Sequence, residues 1–173
     1  MPNFRQLFLV ILFISLVSIA AMGQKPLAAV SAFYKFDRSH SQTFNRRNID
    51  ARKEWFSSQL YGRFLNELKR EKEYLRTNPG DKPHFGDGLP FQPMNEPCEA
   101  NGRKSGNSYT LGRVNERGKN AKIGVNFAYP KACKMDKTLF TVNLIKEKGR
   151  WVINDIQYPD DMTLVEDLKR PVY

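Results

Sequence analysis

Few residues in this chain have the type and spacing of a catalytic group, and Asp155 is the strongest candidate. It follows Trp151 and Ile153 on an apolar strand whose alternation slips by one residue at Asn154-Asp155, so a β-bulge is predicted there. Bulges re-aim side chains, and a carboxylate aimed into an apolar interior could act as a general base. We favour the structural alternative, in which Asp155 accepts a hydrogen bond from a neighbouring backbone amide.

The two histidines, His40 and His84, are predicted to lie in loops. His84 is close in sequence to Asp87, but one histidine and one carboxylate are fewer than the three or four ligands of a protein metal site. A structural or incidental role is therefore predicted for His84. The sequence predicts no metal site and no cofactor.

The chain has two cysteines, Cys98 and Cys133. A metal-binding role is not favoured, because no other histidine or cysteine is near either cysteine in the sequence. A catalytic role is not favoured either, because no residue is evident as the base that would activate a thiol. An even cysteine count behind an export signal favours a disulfide in an oxidising compartment. In the chain-entropy model the closed loop would contribute roughly 3–4 kcal/mol to stability.

Residues 1–23 have the features of a secretory signal peptide. Arg5 precedes an apolar run over 7–21, and Ala21-Met22-Gly23 places small residues where a signal peptidase cuts, so Gln24 is the expected first residue of the mature chain. The run is short for a membrane span, which needs about 20 residues. Residues 24–173 are predicted to be one domain that is exported and either periplasmic or secreted. An uncleaved N-terminal anchor is the alternative.

The formal net charge of +10 falls to +9 when Arg5 is removed with the signal peptide. The densest basic cluster, Arg46-Arg47 with Arg52-Lys53, lacks the interleaved aromatic residues of a single-strand-binding surface. Nucleic acid is therefore not a predicted partner. The charge fits an anionic cell envelope or an acidic protein equally well, and a solvated basic surface is the favoured interpretation.

Four strands that form an antiparallel meander are predicted at the C-terminal end, which gives an α+β fold class. The second strand is predicted to have strict alternation, because Ala121, Ile123, Val125, Phe127 and Tyr129 share one face. The predicted strands are Tyr109–Glu116, Ala121–Tyr129, Thr138–Glu147 and Arg150–Tyr158.

Helices are predicted to cover one side of this sheet. The first begins near Pro26, and its apolar face ends where Asp37 appears. A longer helix is capped by Ser57 or Ser58 and has a solvated end over 69–73. Thr163 and Glu166 have the spacing of a capping box for a last short helix.

A Pro- and Gly-rich loop over 79–108 connects the helices to the sheet. Loops of this length in compact domains are usually functional or disordered, and the Cys98 tether argues against simple disorder. Phe85, Leu89, Phe91 and Met94 are apolar anchors that could fold the loop back over the sheet.

Three features in this order resemble the nuclear-transport-factor-2-like superfamily, and within it an exported bacterial family known only as a domain of unknown function. They are a first helix with Phe33-Tyr34, the segment from Trp55 to Leu60, and the final strand from Gly149 to Ile156. The resemblance covers roughly Pro26 to Leu168. It implies a curved antiparallel sheet of about four strands wrapped around N-terminal helices, a cone with a pocket at its wide end.

Members of that superfamily include isomerases, dehydratases, polyketide cyclases and binding modules, so the resemblance fixes no activity. Enzymatic members place an Asp–His or Tyr–Asp pair in the pocket, and no such constellation is matched here residue by residue. The candidate pocket-lining residues are Tyr34, Trp55, Tyr61, Phe127, Tyr129 and Asp155.

The expected function is that of a non-catalytic binding module of the cell envelope, a monomer or homodimer with a small ligand or an envelope protein as partner. The alternative is a small-molecule isomerase or hydrolyase that uses Asp155 with a tyrosine.

Overall fold

The computed structural model describes residues 24–93, 97–100 and 102–171. The predicted signal peptide and Met94 lie outside the described residues. The fold is α+β, with four α-helices and two antiparallel sheets in this part of the chain. The helices are α1 (Pro26–Arg38), α2 (Arg46–Ala51), α3 (Ser58–Thr77) and α4 (Leu164–Asp167), and the strands are β1 (Cys98–Ala100), β2 (Arg103–Ser105), β3 (Ser108–Arg117), β4 (Asn120–Ala128), β5 (Thr138–Glu147) and β6 (Arg150–Gln157).

The four long strands form the predicted meander, in the order β3-β4-β5-β6. Along β4 every second residue from Ala121 to Phe127 is buried, which confirms the alternation. Lys148 and Gly149 turn the chain from β5 to β6 with φ angles of 50° and 80°. Two successive positive φ values are those of the type I′ turn that matches the twist of a hairpin.

The β-bulge predicted at Asn154-Asp155 is confirmed. Asn143 of β5 lies opposite Asp155 and the next residue, Leu144, lies opposite Ile153, so Asn154 is the extra residue. The bulge also fixes the start of α3, because the Ser57 hydroxyl donates to Asn154 Oδ1 at 2.9 Å. Ser57 is the N-cap of α3, and its Oγ accepts a hydrogen bond from the Leu60 amide at 3.0 Å.

Helix α1 begins at Pro26 as predicted, but its buried face continues further than the apolar residues indicate. Asp37 is fully buried and pairs with the equally buried Arg52. The apolar face therefore ends at Asp37 as predicted, while the buried face of the helix includes this carboxylate. A buried carboxylate needs a cation and hydrogen bonds, and Arg52 reaches it from beyond α2.

Helix α3 also buries charged residues. Glu67 and Glu71 continue the stripe of Leu60 and Phe64 and are buried, so the predicted solvated end over 69–73 is wrong for Glu71. The capping box of Thr163 and Glu166 at α4 is confirmed.

The long loop folds back onto the core through Phe85, Leu89 and Phe91, which are all buried. Its later part departs from the predicted strand-free loop, because β1 and β2 form a small antiparallel hairpin. The disulfide between Cys98 and Cys133 is present, with Cα atoms 5.9 Å apart, and joins this hairpin to the 3-10 turn Lys131–Cys133. None of the described helices is long and apolar enough to cross a membrane.

Candidate functional site

Tyr34 lies on the face of α1 that packs against the sheet, and its hydroxyl has a hydrogen-bond partner within the fold. The side chain is fully buried, and the hydroxyl donates to the carbonyl oxygen of Phe91 at 3.0 Å. The Tyr34 ring packs against Tyr109 and Phe127, at centroid distances of 5.4 and 5.7 Å. Burial raises the pKa of this phenol well above its usual value, with a further contribution from Asp37. Tyr34 is therefore a neutral donor that holds the loop.

Phe91 is fully buried among aromatic side chains of the core. Its ring lies 5.4 Å from Phe33, 5.3 Å from Phe56 and 5.5 Å from Phe64, measured between centroids. The preceding residue is fixed as well, because Tyr158 donates its hydroxyl to the Pro90 carbonyl oxygen at 3.2 Å. We call the segment Pro90-Phe91 the loop plug. It packs between the helices and the sheet as part of the core.

The remaining aromatic candidates do not converge on one space. Phe127 is in the core beside Tyr34, and the half-buried Trp55 packs on Phe36 at 4.6 Å. Tyr61 donates its hydroxyl to Asp50 Oδ1 at 2.6 Å on the surface, and in the described part of the chain it has no ring contact with Tyr34 or Phe127.

Tyr129 lies just after the end of β4 and is half-buried. It is thus not part of the alternating face of the strand. It lies in the connection between β4 and the 3-10 turn that contains Cys133.

Asp155 has backbone partners. Its Oδ1 accepts hydrogen bonds from the amide of Ile156 at 2.9 Å and from the amide of Val165 at 3.0 Å. Val165 is in the first turn of α4, where backbone N–H groups have no partner within the helix. Asp155 therefore joins the bulge of β6 to the start of α4, which is the structural role favoured by the sequence.

A charged cluster that the sequence did not reveal lies between α3, the long loop and α4. His84 Nδ1 is 2.9 Å from Glu67 Oε1, and His84 Nε2 is 3.2 Å from Asp167 Oδ1. Glu67 is fully buried and its other oxygen is 2.8 Å from Arg70. The neighbouring Glu71 accepts the Phe85 amide at 2.6 Å. Burial raises the pKa of Glu71, while the hydrogen bond from Phe85 opposes that shift.

The cluster has the residue types of an acid–base site, but its geometry fits a structural link. Each ring nitrogen of His84 lies within hydrogen-bond distance of a carboxylate oxygen, so both nitrogens already have partners within the fold. Asp87, which is close to His84 in sequence, pairs with Lys82 rather than with His84.

A pattern in the sequence could have indicated this cluster. Glu67 and Glu71 are four residues apart, on the same helical stripe as Leu60 and Phe64. Carboxylates on a buried stripe need partners from elsewhere in the chain, and His84 in the following loop is one of the few available.

The predicted basic cluster at Arg46-Arg47 with Arg52-Lys53 does not form one surface. Arg52 is fully buried and paired with Asp37, while Arg46 pairs with Asp50 at 2.8 Å. Within the described residues, no group of three or more His, Cys, Asp or Glu side chains has the arrangement to hold a metal ion.

Comparisons of the chain with protein-family models, with curated proteins and with solved structures found no match.

Proposed function

We propose that the chain is a non-catalytic binding module of the bacterial cell envelope, built on the nuclear-transport-factor-2-like cone and exported by its N-terminal segment. The observation that carries this proposal is the loop plug. Phe91 packs against three aromatic side chains, and Tyr34 donates to its carbonyl oxygen. A core that is packed with the chain's own side chains leaves the outer surface as the place for a partner.

The occupied polar groups support the same proposal. Asp155 Oδ1 accepts two backbone amides, and His84 lies between two carboxylates. These bonds stabilise the fold, whereas a general acid or base needs a position from which it reaches a substrate. The isomerase or hydrolyase alternative requires Asp155 and a tyrosine to meet a substrate together.

Export and the cone fold are supported by separate features. The disulfide is typical of proteins that fold in an oxidising compartment, and residues 1–23 have the composition of a signal peptide. Two features support the cone. The bulge in β6 bends that strand, as a curved sheet requires, and α1 contacts the sheet as a helix inside the cone would.

The experiment is chemical cross-linking of the tagged protein in an exporting bacterial host, followed by quantitative mass spectrometry of what is captured. We expect reproducible capture of an envelope partner that a surplus of untagged protein displaces. The Asp155→Asn variant is the matched control, because asparagine keeps the oxygen that accepts the Ile156 and Val165 amides. It should capture the same partner in the same amount.

Two results would overturn the proposal. One is the lack of any displaceable partner. The other is a folded Asp155→Asn protein that loses a chemical activity of the wild type on a small molecule.

A further inference from the structure

Both tight turns of the meander lie at one end of the sheet, and this end is basic. In an antiparallel meander the β3–β4 and β5–β6 connections are on the same side. They are joined directly, because the Lys146 amide donates to the Lys119 carbonyl oxygen at 2.8 Å. We call this region the basic end of the sheet. Its basic residues are Arg117, Lys119, Lys122, Lys146, Lys148 and Arg150.

The acidic residues of the basic end neutralise only part of this charge. Glu147 accepts the backbone amide of Ser58 at 3.0 Å, and Glu54 lies 3.6 Å from Arg150. Glu116 is the third acidic residue here and is exposed. Among the described residues, Arg117 and Lys122 form no ion pair.

A cleft of about 240 Å³ lies at the β3–β4 side of the basic end. It is lined by Asn115, Arg117, Asn120, Ala121 and Lys122. In the register of the two strands, Arg117 lies opposite Asn120 and Asn115 lies opposite Lys122. Residues two apart on a strand share a face, so these four polar side chains stand together on the side away from the core. Ala121 faces the core and is buried.

We propose that this cleft binds a phosphate group. Its side chains are rich in donors, because arginine has five N–H groups, lysine has three and each asparagine amide has two. A carboxylate presents two oxygens in one plane, which a single guanidinium satisfies. A phosphate presents oxygens in several directions and a charge of up to two, so it can accept from Arg117, Lys122 and the two amides together.

The size and lining of the cleft narrow the ligand further. The volume is below the 300–1,000 Å³ of a site that encloses a drug-sized molecule, so it accommodates an anionic group and leaves the rest of the ligand outside. No aromatic side chain lines the cleft, so it has no surface on which the bases of a nucleic acid could stack. The ligand is a phosphate monoester or diester, carried either by a lipid headgroup or by a soluble molecule.

This inference rests on the proposed binding function and assigns it a surface and a ligand chemistry. The test uses the full mature protein with two probes. Inorganic pyrophosphate is titrated by calorimetry, and vesicles of phosphatidylglycerol with phosphatidylcholine are used in a flotation assay, with pure phosphatidylcholine vesicles as the blank.

The decisive variant is Arg117→Gln/Lys122→Gln, which removes two charges from exposed positions. The matched control is Lys131→Gln/Lys137→Gln, which removes the same charge from exposed positions of the β4–β5 connection, at the opposite end of the sheet. We expect pyrophosphate to bind at one site and the decisive variant to bind at least about tenfold more weakly, since charge-assisted hydrogen bonds are lost. The affinity of the control for pyrophosphate should stay within about twofold of the wild-type value, because salt screens the effect of charges at the opposite end of the sheet. Melting curves check that both variants fold.

The arms also identify the source of the phosphate. Flotation with phosphatidylglycerol vesicles that pyrophosphate competes away indicates a headgroup, whereas pyrophosphate binding without flotation indicates a soluble ligand. Equal weakening in both variants, or binding of neither probe, would overturn the inference. If an envelope partner is still captured in that case, the proposed function stands and only its assignment to this cleft fails.

Discussion

Replacing Arg52 with leucine is expected to lower the free energy of unfolding by about 3–5 kcal/mol, because it leaves the Asp37 carboxylate buried without its cation. Both side chains are 0% exposed, and Arg52 Nε lies 2.6 Å from Asp37 Oδ1. The guanidinium also donates to the carbonyl oxygens of Asn48 at 2.9 Å and Ser41 at 3.1 Å. The variant therefore loses the ion pair and the link between α1 and the segment that follows it.

The exposed pair of Arg46 and Asp50 provides the control. Its side chains are 65% and 42% exposed, and the two residues are four positions apart on one helix. Solvent-exposed helix pairs of this spacing contribute little to stability, because water and dissolved salt screen the two charges. Arg46→Leu makes the same substitution and should cost much less than Arg52→Leu.

The loss in Arg52→Leu should also depend on pH. Burial raises the pKa of Asp37, and the neighbouring Arg52 opposes that shift. Without Arg52 the folded-state pKa moves further above the value of about 3.9 in the unfolded chain. At a pH between the unfolded-state and folded-state pKa values of Asp37, the folded state binds more protons than the unfolded state. The free energy of unfolding of the variant therefore rises as the pH falls through the folded-state pKa of Asp37.

The assay is urea unfolding at pH 7 and at pH 4.5, followed by tryptophan fluorescence. Trp55 is a suitable reporter, because it packs on Phe36 and the Arg52 guanidinium lies 5.7 Å from that ring. A loss below about 1 kcal/mol at pH 7, or a loss equal to that of Arg46→Leu at both pH values, would refute the reasoning.

Three further predictions concern the loop plug, the disulfide and the charged cluster. Phe91→Ala should destabilise the protein by about 3–5 kcal/mol through the cavity that it leaves, measured by urea unfolding. Reduction of Cys98–Cys133, which closes a loop of 35 residues, should cost about 3–4 kcal/mol and lower the melting temperature. Glu71→Gln should weaken the pH dependence of the melting temperature, because burial raises the pKa of Glu71 and the wild type alone gains stability as pH falls through that pKa.

Each of these has a clear contrary result. A Phe91→Ala protein with wild-type stability would show that the loop plug is not part of the core. An unchanged melting temperature after confirmed reduction would contradict the role of the disulfide. Identical pH profiles for the wild type and Glu71→Gln would contradict a buried, proton-binding carboxylate.

The sheet was predictable because its signals are local. Strict alternation in β4 and the loss of phase near Asn154 each follow from neighbouring residues, and both are present in the structure. The caps at Ser57 and Thr163 are local in the same way. Such features need only the period of the backbone and the chemistry of one side chain.

The partners of the buried charges were not predictable by the same reasoning. Asp37, Glu67 and Glu71 extend apolar stripes, and a periodicity argument ends a buried face at the first charge. Each is buried with a partner that is distant in sequence, such as Arg52 for Asp37 and His84 for Glu67. These contacts depend on how the helices and the loop meet, which no local pattern records.

The position of the loop plug was partly predictable. The apolar residues Phe85, Leu89 and Phe91 indicated that the loop folds back, and all three are buried. Their spacing has no period, so it could not show that Phe91 packs against Phe33, Phe56 and Phe64. The sequence predicts a pocket lined by Tyr34 and Phe127, whereas both side chains pack within the core.

The most direct test of the central claim is a comparison of the native and denatured masses of the protein purified from an exporting host. A binding module with a filled interior predicts a native mass that equals one or more copies of the polypeptide. The denatured mass should correspond to a chain that begins at Gln24 and has lost two hydrogens to the disulfide. A small molecule that is present in stoichiometric amount in the native mass of both the wild type and Arg117→Gln/Lys122→Gln, and is released on denaturation, would contradict a filled interior.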